Sequence, residues 1–437
     1  KYIYKENGGQ SSARNLGMRY IETEWVTFID PDDFINKNYF KIVSDKIEKD
    51  KSVNMIATNL KFYIEDERSI QDKHSLNYRF KNRVEKHSSS DLKDFINLSA
   101  AATFFKTEII TGNNIEFNEN IRPNFEDGKL IADYLMVSTG QVAFLRDAVY
   151  FYRKRSDKSS TVDNSWEVEQ KYNDVLKYGY LPMLEGYNKH LGYVPKHIQR
   201  TVLYDISWYL RLLINDSEKI SFLTLAQKNI FYDLLISIFA YIDNNVVLDF
   251  NLSGLWFAQK IGILGAFKNE KYKPQITYIE NVDREKKQIL ISYFTYFDID
   301  FSFRIDGKDV IPKYEKIVNN SFVDRDFVKE KRFWIPFESE HSLLTVILDN
   351  TASRITLNKK QYINGVKIKD ILEVYKPSTK YQTDGSWLLI DRDVQADDNA
   401  EHMYRYIMHN HPEQKCYFAL SENSHDWKRL KLEKFNL

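Results

Sequence analysis

The chain has 437 residues in which 62 Lys and Arg balance 62 Asp and Glu, so no bulk charge draws it to nucleic acid or to an anionic membrane. Its 29 Tyr and 28 Phe against only 15 Gly and 9 Pro exclude a disordered chain, and the length suits about two to four domains with cores of their own. The single cysteine, Cys416, excludes an internal disulfide and a cysteine-built zinc site and fits a reducing, cytoplasmic setting. No apolar run approaches the ~18 residues that span a bilayer, and no stretch reads as a signal peptide.

The first informative stretch is Lys5-Glu6-Asn7-Gly8-Gly9-Gln10-Ser11-Ser12-Ala13-Arg14-Asn15, which reads as a glycine-containing loop feeding a helix. Ser11 or Ser12 is positioned to cap that helix, with Ala13, Leu16, Gly17 and Tyr20 on one face. Trp25 to Ile29 then reads as a short buried strand ending in Asp30, Asp32 and Asp33. Carboxylates crowded at the end of a buried strand are costly unless something positive meets them, and that edge of an α/β sheet is where ligands bind. Hard divalent cations prefer oxygen ligands and share them with phosphates, so a metal-bound diphosphate fits here. The plainer alternative is a polar turn with Asp33 capping the next helix.

The pattern E-N-G-G-Q-S-x-A-R-N-x-G followed by F-I-D-P-D-D-F resembles the donor-site half of the family 2 inverting glycosyltransferases with the GT-A fold. The resemblance implies a nucleotide-sugar donor, UDP-linked, with Mn2+ or Mg2+ on Asp32 and Asp33 and with Arg14, Asn15 and Asp30 at the nucleotide. Such a domain would have its first nucleotide-binding strand upstream of Lys1, so the chain reads as an internal fragment of a larger enzyme.

Asn38 to Asp50 follows as an amphipathic helix and Val53 to Tyr63 as a strand of the same sheet. Glu65 to Lys93 is charged and weakly periodic, a loop-rich excursion whose His74 and His87 read as surface residues. Leu98 to Lys106 is rich in small residues, which permits close backbone approach; in the resembled family it lies beside the acceptor pocket. Glu126 and Asp127 open a helix, where acidic residues cap and complement the dipole. The family carries Glu-Asp here, and the resemblance makes Asp127 the catalytic base with Glu126 beside it. Val142 to Tyr152 reads as paired strands running into Arg153-Lys154-Arg155-Ser156. The family's Tyr-x-Tyr-Arg-x-Arg element implies phosphate contacts for Arg153 and Arg155, suited to them by bidentate geometry.

From Trp166 to about Tyr272 the period becomes helical, over Glu167–Tyr187, Ile198–Ile214, Thr224–Tyr241 and Ser253–Ile261; these stripes read as core and carry no chemistry. The stretch from Ile198 to Trp208 resembles a helical module of bacterial capsule polymerases. From about Pro274 to Tyr362 the period is two, in short strands that suggest a small β-sandwich.

Ser386 to Arg392 then reads as a buried strand, Ala396 to Ile407 as a capped helix and Cys416 to Leu420 as the next strand, a βαβ opening. W-L-x-x-D-R-x-x-x-A-D-D-N-A-E-H-x-x-R-Y resembles the start of the GT-B catalytic domain of teichoic-acid-type CDP-glycerol glycerophosphotransferases. Asp397, Asp398 and Asn399 there read as capping residues.

The expectation is an α/β multidomain chain in four parts: a truncated, Rossmann-like GT-A domain (1–160), a helical connector (161–272), a β-sandwich (273–375) and the start of a Rossmann-like GT-B domain (386–437). The implied enzyme is a metal-dependent, inverting hexosyltransferase within a bifunctional capsule polymerase, acting on a capsular or teichoic-acid-like, glycerol-phosphate-containing polymer. The rivals are a glycerophosphotransferase with an auxiliary GT-A part and a non-catalytic scaffold for capsule assembly. Peripheral contact with the cytoplasmic face of the inner membrane or with capsule export machinery is compatible with all three.

Overall fold

In a computed structural model, which describes residues 2–156, 164–273, 275–376 and 384–437, a loop leads into helix α1 (Gln10–Met18) and then into a seven-stranded mixed sheet. Its strands are β1 (Trp25–Thr27), β2 (Phe34–Ile35), β3 (Val53–Ile64), β4 (Ser69–Gln71), β5 (Val84–Ser88), β6 (Thr103–Lys106) and β7 (Gln141–Lys154). The order is β1-β6-β3-β7-β2, with β4 added to β3 and β5 to β7. The two long strands β3 and β7 pair in parallel at its centre. Met55, Ile56 and Ala57 pair with Val142, Ala143 and Phe144, all buried, as in the near-continuous apolar run of a strand covered on both faces. Helices α2 (Tyr39–Lys49), α3 (Thr107–Gly112) and α4 (Glu126–Val137) join these strands.

Several local readings are corrected. α1 begins at Gly9, whose φ of 86° no other residue adopts cheaply, and no side chain caps it; Ser12 instead accepts a hydrogen bond from Lys5. Its buried face is Ser11, Asn15 and Met18, while Ala13, Gly17 and Tyr20 are exposed, because the helix is fastened by polar contacts rather than an apolar stripe. β7 is one strand instead of a pair: its pairing slips between Thr58 and Asn59, so residues 146–148 bulge without ending it. His74 and His87 are not surface residues. The His87 ring packs 4.1 Å from Phe95, and burial pulls His74 down to about 4, so it is neutral at physiological pH.

The helical segment holds α5 (Glu169–Tyr172), a π-helical turn over Val175–Tyr180, α6 (Leu181–Leu191), α7 (Lys196–Leu213), α8 (Leu225–Phe239), α9 (Asn244–Asp249) and α10 (Phe257–Ala266). It is followed by two sheets. One has six strands, Tyr314–Phe322, Arg325–Pro336, Gln288–Thr295, Ile276–Asp283, Arg354–Leu357 and Lys360–Tyr362 in spatial order. The other has five and is centred on Leu343–Leu348 and Phe301–Ile305. They meet face to face, with Phe301 and Phe303 of one sheet 4.7 and 5.0 Å from Phe333 of the other. The helical core continues into the six-stranded sheet: Ile261, Ile263 and Leu264 share a cluster with Phe322, Phe327 and Val328. Two glycines permit this approach, since a Cβ at Gly262 would lie 2.5 Å from the Phe327 ring and one at Gly265 would lie 2.2 Å from Tyr296.

The chain divides into two compact units, Lys1–Leu372 and Glu373–Leu437. In the second, Trp387–Leu389 and Cys416–Phe418 pair in parallel, with helix Asn399–Asn410 between them in the chain and helix Trp427–Leu432 after them. Ala396, Tyr404, Ile407, Cys416, Phe418 and Leu430 form its core. The expected buried strand is a correction: Trp387 and Leu388 are exposed, because a sheet of two strands leaves residues uncovered. The boundary expected at 160/161 and most of the stretch joining 375 to 386 lie outside the described residues. Among the described residues no helix is long and apolar enough to cross a membrane.

Candidate active site

A cavity of about 540 Å³ opens at the carboxyl ends of β1 and β3, lined by Arg14, Asp30, Asp32, Asp33, Glu126 and Asp127 among others. Its organising contact is Arg14, on α1. Nη2 donates to Asp30 Oδ1 and Nη1 to Asp127 Oδ1, each at 2.7 Å, with Glu126 Oε1 at 3.7 Å. The guanidinium lies 5.2 Å from the centre of the Phe117 ring, so it is sandwiched and only 10% exposed. Burial works against its charge, but Asp127 and Asp30 more than compensate and hold Arg14 above its ordinary value. One cation thereby brings the strand-end acidic cluster and the acidic pair of α4 into one site, although they are far apart in the chain.

The carboxylates differ in how they are held. Asp127 Oδ2 accepts the Ala100 N–H at 2.8 Å, from the small-residue stretch that lets its backbone come close. Burial raises the Asp127 pKa, while Arg14 and the Ala100 N–H oppose that rise. Glu126 accepts a short hydrogen bond from Gln10, and burial together with the charge of Asp127 pushes its carboxyl up. The turn before them is unusual: Phe125 has φ 87° and packs edge-on against Tyr180 at 4.5 Å.

Asp33 is engaged at both oxygens, Oδ2 by the Tyr150 hydroxyl at 2.8 Å and Oδ1 by the Arg153 N–H at 2.9 Å, so it ties the β2 turn to the end of β7. It does not cap α2, which begins after Asn38. Burial raises its pKa, with the two hydrogen bonds opposing. Asp32 pairs with Arg155 Nη2 at 2.7 Å.

Two expected contacts face elsewhere. Asn15 is buried apart from the cavity lining, its amide exchanging hydrogen bonds with the Phe117 backbone at 2.8 and 2.9 Å. Arg153 turns to Glu65, whereas Lys154 and Arg155 line the cavity. The period of two along β7 separates Arg153 from Lys154, since Tyr150, Tyr152 and Lys154 share a face that Arg153 does not, while Arg155 lies beyond the end of the strand. That alternation was readable beforehand. Gln10, Tyr150 and Lys154 also line the cavity from within the patterns already singled out, whereas His74 and Asp205 line it with no signal in their local patterns. The serines at 159 and 160, part of the expected closing segment, lie outside the described residues.

A divalent ion would find an incomplete set of protein ligands. No group of three or more His, Cys, Asp or Glu among the described residues could hold one. The fit is that of an ion bound by one or two carboxylates and completed by phosphate oxygens and water, with Asp32 better placed than the doubly engaged Asp33.

Residues 1–107 match Glycosyl transferase family 2. That stretch contains Arg14, Asn15, Asp30, Asp32 and Asp33, and Glu126 and Asp127 lie beyond it. The chain is 23% identical to the minor teichoic acid biosynthesis protein GgaB of Bacillus subtilis strain 168, covering 98% of this chain and 57% of that protein. It is 27% identical to GgaA of the same organism, over 56% of this chain and 53% of that protein. The chain thus spans about half the length of these relatives. Among solved structures, S. aureus TarS 1-349 aligns with a TM-score of 0.43 at 15% identity, covering 60% of this chain and 68% of that one. Residues 1–107 thus match the family 2 glycosyltransferase model, and over 98% of its length the chain is similar to a minor teichoic acid biosynthesis protein.

Proposed function

We propose that the cavity binds a nucleotide-linked sugar, UDP-linked, and transfers the sugar with inversion onto a teichoic-acid-like or capsular polymer. The observation that carries this reading is the Arg14 bridge, which puts the acidic cluster of the donor side and Asp127 in one cavity. In an inverting transfer one carboxylate takes the proton of the acceptor hydroxyl as its oxygen attacks the anomeric carbon, and the nucleoside diphosphate departs from the opposite face. Asp127 is that base: half-buried, and oriented by the Ala100 N–H and by Arg14 so that it cannot swing away. Glu126, pushed up by burial, keeps a second negative charge from accumulating beside it. Lys154 and Arg155 are the cations of the β7 edge that line the cavity and suit the diphosphate. A divalent ion, Mn2+ or Mg2+, would be held by Asp32 and the diphosphate and would stabilise the leaving group's charge.

The four-part division of the chain, with boundaries near 160, 272 and 375, belongs to this proposal, as does placing the protein on the cytoplasmic face of the membrane where nucleotide sugars are available. Asp127→Asn is the deciding experiment. It should lower kcat by at least ~10²-fold while leaving nucleotide-sugar affinity near wild type, assayed where circular dichroism shows the variant, weakened by loss of its charge pair with Arg14, to be folded. Near-normal turnover of a folded Asp127→Asn protein would remove Asp127 as the base.

A further inference from the structure

The apolar stripes of the helical segment suggest a core and nothing more, yet α7 reaches the cavity: Asp205 is one of its lining residues. This carboxylate is anchored with care. The buried Tyr180 donates its O–H to Asp205 Oδ2, and Lys171 Nζ stands 3.8 Å from the same oxygen. Lys171 is 1% exposed, donates to Asn124 Oδ1 at 2.8 Å, and faces the rings of Trp166 and Tyr209 at 4.8 and 5.0 Å. Burial pulls its pKa down, and Asp205 and then Glu126 are the carboxylates that oppose this. A buried ammonium needs such a counter-charge, so Asp205 is held in place by the core itself. Asn124 lies two residues before Glu126, so one lysine anchors both Asp205 and the turn that carries the acidic pair. The residue before Asp205 extends the link: Tyr204 shares a short hydrogen bond with Ser75, the neighbour of the cavity residue His74.

Among the described residues, the hydrogen bond and the ion pair of Asp205 both fall on Oδ2. A carboxylate with one oxygen anchored, on a residue that lines a cavity, is suited to accept a hydrogen bond from a hydroxyl. We propose that Asp205 is an acceptor-binding residue, taking a hydroxyl of the polyol or sugar unit at the end of the growing polymer. This rests on the cavity being the transfer site. The chemistry also excludes: a phosphate beside Asp205 would be repelled, so it is a hydroxyl of the acceptor and not one of its phosphates that meets this carboxylate.

The test is titration calorimetry of the full chain with a synthetic glycerol-phosphate trimer, and separately with UDP. Asp205→Asn should weaken the trimer about tenfold, the loss of one charge-assisted hydrogen bond, with UDP affinity changed less than about twofold. Tyr180→Phe keeps the carboxylate but frees its anchored oxygen, and should weaken the trimer by a smaller factor in the same direction. Wild-type trimer affinity in both variants overturns the proposal, and so does a parallel loss of UDP binding, which would make Asp205 a residue of the fold. A wild-type protein that binds no trimer overturns it as well. These readouts involve no turnover, so they stay separate from the fate of Asp127 as base.

Discussion

Two helices of this chain carry carboxylates in their first turns, and those carboxylates have opposite characters. α4 opens on Glu126 and Asp127; helix Asn399–Asn410 follows Asp397 and Asp398 and carries Glu401 in its first turn. At the first, burial exceeds what one arginine returns, and both carboxyls are pushed up beside a cavity. At the second, Glu401 is just as buried at 2% exposed, but Arg429 grips both its oxygens at 2.8 and 2.9 Å and Arg405 adds a further bond. Arg429 first among these holds its carboxyl down to about 2. Asp391 accepts N–H groups of Asp398, Ala400 and Glu401 and satisfies the helix start. The helix-opening pattern is therefore shared, and the count of cations around the carboxylate decides whether it is a poised group or a fastener.

The largest effect that would sharpen this contrast is expected from Arg14→Met. It leaves Asp30 and Asp127 without their shared partner, and breaking a buried pair costs about 3–5 kcal/mol. Thermal or urea unfolding should show that loss, together with loss of transfer; unchanged stability would mean the bridge does not organise the site. Asp32→Ala comes next, expected to lower sugar transfer at least ~10²-fold, with excess chelator doing the same to the wild type. Transfer that persists in chelator would remove the ion from the site. The glycerophosphotransferase rival is separated by the same variant, since an activity based on the C-terminal unit should survive Asp32→Ala.

A pH titration examines the other side of the comparison. Glu401 is depressed in the folded state, so its stabilising contribution is fully present above its unfolded pKa near 4.5 and is lost as pH falls through about 2. Hydrogen exchange in the C-terminal unit should quicken across that window, and Glu401→Gln should flatten the dependence. A dependence unchanged in Glu401→Gln would show that other groups carry it. The smallest effect belongs to Asp398→Ala. It removes an N-cap bond to Asn399 worth roughly 1 kcal/mol, measured by unfolding, and should leave sugar transfer untouched.

Much of this protein is legible without coordinates. The period of two between Gln275 and Leu357 and the helical period between Glu167 and Ile261 mark elements that the structure places within a few residues, because side-chain alternation follows directly from backbone geometry. The sequence also singles out Asp30, Asp32, Asp33, Glu126 and Asp127, all of which line one cavity. What it does not carry is direction. Asn15 and Arg153 belong to the same short patterns as Arg14 and Arg155, yet they turn to Phe117 and Glu65. The buried face of α1 is the polar one, against its apolar count. Asp205 has no acidic neighbour within three residues on either side, and it comes to the site only because α7 packs there with Lys171 and Tyr180 beneath it. Local chemistry determines which residues are able to act, since it depends on side-chain type and near neighbours. Which of them meet, and with how much water and how many counter-charges, is decided by packing among segments distant in the chain, and only the tertiary structure contains that.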